Sequence, residues 1–138
     1  MSVPPRGILE IPLDGVITTP TDATREFVVA ESTVTANAFW YFVEDPELVL
    51  AAPRDALTAS VESGADVTRI TVTASGLVKD LFLQADRVAS GATVASGLVT
   101  LLPGESHTFV VDGTSGGADP ADVGVFPVLC SVNDLVTG

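Results

Sequence analysis

Three carboxylates, Glu44, Asp45 and Glu47, close a run of aromatic residues, Phe39-Trp40-Tyr41-Phe42. Two carboxylates roughly 5–10 Å apart, one as acid and one as base or nucleophile, are what glycoside hydrolysis uses. The chain carries 18 Asp and Glu residues, however. Neighbouring acids therefore arise from composition alone, and a turn ending an aromatic strand is an ordinary place for them. His107 is the only imidazole. Strand parity puts it on one face with Phe109 and Val111, beside Pro103-Gly104, and nothing in the sequence supplies a nucleophile for it to activate, so it reads as a structural histidine at the rim of a core.

Cys130 is the single cysteine. No disulfide can form within the chain, and a lone thiol in an apolar stretch reads as a small buried hydrophobe. Asp112, Asp119 and Asp122 could suggest calcium, but they lack regular ligand spacing and flank a Gly-rich stretch, as solvated loop acids do. There is no phosphate-cradling Gly-rich loop and no HExxH, GxSxG, CxxC or EF-hand pattern. The expectation is no catalytic residue, no cofactor and no metal. The aromatic run holds four of the eight aromatic residues. Aromatic faces also stack on sugar rings, yet contiguous strand residues alternate sides, so at most two could share one platform. Core or interdomain packing is the favoured use, with Phe39, Trp40, Tyr41 and Phe42 as a possible binding or interface surface.

Composition bounds the rest. A chain of 138 residues can hold one ordinary core, or one small domain plus part of another. With 46% hydrophobic and 17% charged residues it should pack rather than stay disordered. The net charge of −12 opposes nucleic acid and anionic membrane surfaces alike. No apolar run approaches the roughly 20 residues of a spanning helix. A soluble protein is expected. Met1 to Arg6 lacks the apolar core of a secretory signal, which makes cytoplasmic the default location.

The elements that must position these residues are strands. No 3.6-residue apolar period persists, whereas two-residue alternation recurs between Gly, Pro, Asp and Ser clusters. The pattern predicts strands at Leu9-Ile11-Leu13, at Phe27-Val29-Glu31 and over Ala36 to Val43. In the last, Trp40 and Phe42 face one way and Phe39, Tyr41 and Val43 the other, as in an internal strand buried on both faces. A domain boundary is placed near Ala52. Beyond it, the inward sets are Leu57-Ala59-Val61, Ile70-Val72-Ala74 and Leu77-Leu81-Leu83. Leu98 to Leu102 and His107 to Val111 read as a hairpin about the Pro103-Gly104 turn. Thr114 to Pro120 reads as a linker, and Val125 to Cys130 is apolar enough to dock back on the body. The organisation is therefore residues 1–52 as the last strands of a partial sandwich, 53–113 as a β-sandwich, and 114–138 as linker and docking tail.

The segments RITVTASGLVKDLFLQADRV (Arg69 to Val88) and GLVTLLPGESHTFVV (Gly97 to Val111) resemble the C-terminal immunoglobulin-like domain of glycoside hydrolase family 2 β-mannosidases. The tail PVLCSVNDLV is similar to how actinobacterial members end. REFVVAESTVTANAFWYFVEDPEL (Arg25 to Leu48) resembles the end of the sandwich domain before it. The resemblance implies an all-β, immunoglobulin-like antiparallel β-sandwich with an N-terminal partial sandwich segment. It implies a non-catalytic accessory role in an enzyme that removes terminal β-linked mannose, with that enzyme's remaining domains as partners. The family's two catalytic glutamates lie in a (β/α)₈ barrel of about 250 residues, longer than this chain, so none is carried over. A carbohydrate- or protein-binding module is the alternative. The large aromatics of residues 6–45 lack a second layer to cover them, which suggests packing on the C-terminal sandwich of the same chain or, the favoured alternative, a homodimer through that region.

Overall fold

The computed structural model describes residues 7–114, 123 and 126–136. It is mostly β, with antiparallel sheets and only short helices. Two compact units divide between Glu44 and Asp45, upstream of the boundary expected near Ala52. Residues 45–51 belong to the second unit because they are bonded into it, through Asp45 to Lys79 and through the Ala51 carbonyl to Asn133.

In the first unit, strands β1 (Phe27–Ala30) and β2 (Ala38–Tyr41) form a two-stranded antiparallel sheet, with Phe27 opposite Tyr41 and Val28 opposite Trp40. The connection is shaped by Ser32, whose Oγ accepts from the backbone N–H groups of Val34 and Thr35; serine hydroxyls favour turns by this local bonding. A helical turn α1 (Gly15–Thr18) starts at Asp14, whose carboxylate accepts from Val16 N at 3.2 Å. Two expectations fail here. Leu9, Ile11 and Leu13 alternate but form no strand, and all three are exposed. Alternation yields a strand only where another offers a ladder, and Pro12 removes one of the donors. Among the described residues β2 has β1 as its one neighbour and so is not an internal strand.

The second unit contains a four-stranded sheet in the order β3-β4-β8-β6, built from β3 (Leu57–Ser63), β4 (Val67–Ala74), β6 (Thr93–Val94) and β8 (Ser106–Asp112). A three-stranded sheet follows the order β7-β5-β9, from β5 (Val78–Leu83), β7 (Val99–Leu101) and β9 (Leu129–Cys130). Short helices α2 (Pro53–Ala56), α3 (Ala85–Val88) and α4 (Val132–Val136) lie between or after the strands. Both sheets feed one hydrophobic cluster, with Ile70, Val72, Phe109 and Val111 from the larger sheet and Val78, Leu81, Leu83 and Leu101 from the smaller, all buried. Strict alternation on β4, where Thr68, Ile70, Val72 and Ala74 point inward, is what one covered face demands.

The expected inward sets hold for β4. On β3, Leu57 and Val61 pack against the core while Ala59 stays exposed, since β3 is an edge of its sheet. On β5 the set is Val78, Leu81 and Leu83, not Leu77. The register with β7 shifts between Val78 and Leu81, and Asp80 sits within the shift at φ +51°. A bulge inserts one residue and moves every earlier side chain to the opposite face.

The hairpin expected about Pro103-Gly104 is not one. β7 pairs with β5, whereas β8 pairs with β4 and β6, so the turn carries the chain from one sheet to the other. Gly104, at φ +88°, donates to the Ala74 carbonyl at 2.7 Å, and Ala74 N donates to Glu105 O at 2.9 Å. The turn is thus bonded to the end of β4. Within the run expected to dock, Val128, Leu129 and Cys130 are buried and β9 pairs with β5, whereas Phe126 is exposed and Val125 lies outside the described residues. The linker expected beyond Thr114 lies outside the described residues, as do Asp119 and Asp122.

Candidate functional site

Of the four aromatics singled out by the sequence, Phe39, Trp40 and Tyr41 divide between two faces of the β1–β2 sheet and Phe42 follows its end. Phe27, Phe39 and Tyr41 gather on one, with ring centroids 5.8–6.3 Å apart and the Phe39 and Tyr41 rings stacked at 9°. These offsets are those aromatic pairs prefer. Trp40 lies opposite Val28 on the other face and is 67% exposed. An open groove of about 570 Å³ is lined by Leu13, Thr18, Val28, Trp40, Tyr41 and Phe42. Among these residues only Thr18 and Tyr41 carry side-chain hydroxyls. The groove can take an apolar side chain or the face of a sugar ring, and offers few groups to orient a polar ligand.

Of the three acids in the turn, Asp45 is engaged by a lysine, while Glu44 and Glu47 are exposed. Glu44 ends the first unit and Asp45 begins a 3₁₀ turn, Asp45–Glu47, in the second. Both Asp45 carboxylate oxygens lie 3.2 Å from Lys79 Nζ. Lys79 Nζ also donates to Asp80 Oδ2 at 2.6 Å, and Asp80 is fixed in turn by Thr100, whose Oγ1 lies 3.3 Å from Asp80 Oδ1 and 3.2 Å from its backbone nitrogen. Only 9% of the Lys79 side chain is exposed. Burial alone would depress its pKa, but the hydrogen bonds and charges of Asp80 and Asp45 outweigh that and hold it above the usual lysine value. Lys79 is therefore a fixed ammonium and not a nucleophilic amine. The sequence reading passed over it, although a lysine beside an aspartate inside an apolar strand was itself a signal of a buried pair.

His107 Nε2 is 3.2 Å from Ser96 Oγ, and the imidazole meets Phe109 edge-on at a centroid distance of 4.6 Å. A serine beside a histidine is half of a nucleophile–base arrangement, but Phe109 is an apolar neighbour that cannot orient the ring as a third polar group would. The rim-of-core placement is the one observed. Cys130 is buried. Burial pushes its thiol pKa up, against the opposing hydrogen bond from Gln84, which makes it a poor thiolate. Asp112 is an exposed residue at the end of β8. Among the described residues no group of three or more His, Cys, Asp and Glu side chains is arranged to hold a metal, and no helix is long and apolar enough to cross a membrane. No protein-family model matches the chain, and no curated protein matches it.

Proposed function

We propose that this chain is a non-catalytic accessory region of a β-mannosidase-like glycoside hydrolase, its second unit an immunoglobulin-like β-sandwich. One observation supports this most: the sheet order β3-β4-β8-β6, with β5 paired to β9 in a separate sheet. Lettered A, B, E and D for the first sheet and C and F for the second, this order is similar to the immunoglobulin strand arrangement, with β7 as an extra strand beside C and no described strand in the place of G. It is built from the segments, Arg69 to Val88 and Gly97 to Val111, that carry the resemblance to family 2 β-mannosidases. The first unit fits the end of a neighbouring sandwich, since a two-stranded sheet is marginal alone and Ile8, Ile11, Leu13 and Val16 are left exposed. The chemistry would belong to the enzyme's barrel, with this region packing on its other domains.

Expression of the open reading frame enclosing these residues, assayed on an aryl β-mannoside, tests the reading. The enclosing protein should turn over the substrate and the isolated chain should not. An enclosing frame without a barrel rejects it, as does turnover by the isolated chain that disappears in Glu44→Gln or Asp45→Asn.

The exposed Trp40 in its groove favours a second reading, a carbohydrate- or protein-binding module. A saturable shift of Trp40 emission on titration with mannosides would support it. Self-association through residues 6–45 is read by light scattering with and without residues 1–44.

A further inference from the structure

The incoming segment 45–51 and helix α4 meet at the start of β5. Asn133, the second residue of α4, is fully buried. Its Nδ2 donates to the Ala51 carbonyl and to the Leu77 carbonyl, each at 2.9 Å, and its Oδ1 accepts from Lys79 N at 3.0 Å. One amide side chain thus ties three backbone groups of two segments, using both its donors and its acceptor. At the other end of the incoming segment, the Lys79 side chain holds Asp45. The segment is gripped at both ends, Leu48 between them is 6% exposed, and its 3₁₀ turn contacts α4.

Helix α4 has only five residues, too few to persist without tertiary support. Its start is braced by Asp134, whose Oδ2 accepts from Ser131 N at 2.7 Å and Ser131 Oγ at 2.9 Å. The helix and the incoming segment therefore depend on the same few bonds. The ladder between β4 and β8 uses none of them.

We infer that Asn133 and Lys79 form a clasp that fastens residues 45–51 and helix α4 together onto β5, and that the two segments open as one local unit while the four-stranded sheet stays closed. Such sub-global openings follow cooperative hydrogen-bonded units, and peripheral segments stay ordered only where they are tied down. The inference stands whether or not the chain serves a glycoside hydrolase.

Hydrogen exchange resolved by residue in the full chain tests it. The Lys79 amide donates to Asn133 and the Leu48 amide donates to Asp45 O, so each reports the clasp. Asn133→Ala should speed exchange at both amides by about tenfold or more, since backbone groups lose a buried partner, and leave Ile70 and Phe109 unchanged. Lys79→Met keeps the buried stem and removes the charge. It should speed Leu48, and α4 with it, again without touching Ile70 and Phe109. Equal acceleration at Ile70 and Phe109 in both variants would mean that no local unit exists and would overturn the inference. So would unchanged exchange at Leu48 in both. If Asn133→Ala does not fold, Lys79→Met decides on the same amides.

Discussion

Leu81→Ala and Leu98→Ala remove the same atoms from two very different places. Leu81 is 1% exposed, on the inner face of β5 just past the bulge, and belongs to the cluster fed by both sheets. Leu98 is 66% exposed. Buried leucine truncations cost about 2–5 kcal/mol, depending on how far the site collapses. Neighbours held in two hydrogen-bonded sheets cannot move far inward, so a loss of about 3 kcal/mol is expected for Leu81→Ala. Leu98→Ala should stay within about 0.5 kcal/mol, the usual surface value. For a unit of this size each kcal/mol moves Tm by roughly 4–8 °C, so the first variant should melt roughly 12–24 °C lower. The assay must be far-UV circular dichroism or residue-resolved NMR, because the only Trp and the only Tyr, Trp40 and Tyr41, lie in the first unit and their emission would report that unit instead. Equal losses for the two variants would refute the inward assignment across the bulge.

Trp40 should be quenched readily by acrylamide, as its 67% exposure requires; strong protection would mean that another surface covers the groove in solution. Lys79 has a folded pKa raised above 10.5, so its stabilising contribution is complete below about pH 10.5 and is lost as pH climbs through the higher folded value. Alkaline denaturation monitored in Lys79→Met should accordingly lack the part of the pH dependence that the wild type shows there. Cys130, buried and with its thiol pKa raised, should react with iodoacetamide at neutral pH at least about tenfold more slowly in the native chain than in urea. Comparable rates in the two states would show the thiol to be accessible.

Local parity was readable in the sequence wherever one face of a regular strand is covered. Ile70, Val72 and Ala74, and Phe109 with Val111, follow from alternation because β4 and β8 run unbroken against each other. Alternation failed at β5, where an aspartate in the left-handed region inserts a bulge that no two-residue pattern registers. It failed again at Leu9 to Leu13, where the periodicity is present and no strand among the described residues pairs with it. Proline and glycine at 103–104 correctly marked a turn, but a turn signal does not say whether the strands it joins lie in one sheet or two. The aromatic run was visible as a run, and its division between two faces was too; the large exposure of Trp40 depends on how few strands surround β2. At the Lys79 node the adjacent partner, Asp80, was legible, but Asp45 and Asn133 are distant in sequence and are brought to it only by the fold.

The pairing of β9 with β5 sets an order on synthesis. Phe82 finds Cys130 and Leu83 finds Leu129, so when β5 leaves the ribosome the strand that will cover one of its edges has not been made. Domains mature during translation at about 5–20 residues per second, which leaves that edge unpaired for some seconds while apolar residues of β5 wait beside it. Pairings so far apart in the chain close slowly in any case, and an open apolar edge is the usual template for aggregation. Ribosome-stalled chains ending before Pro127 should therefore engage holding chaperones, and release them once Cys130 has cleared the exit tunnel.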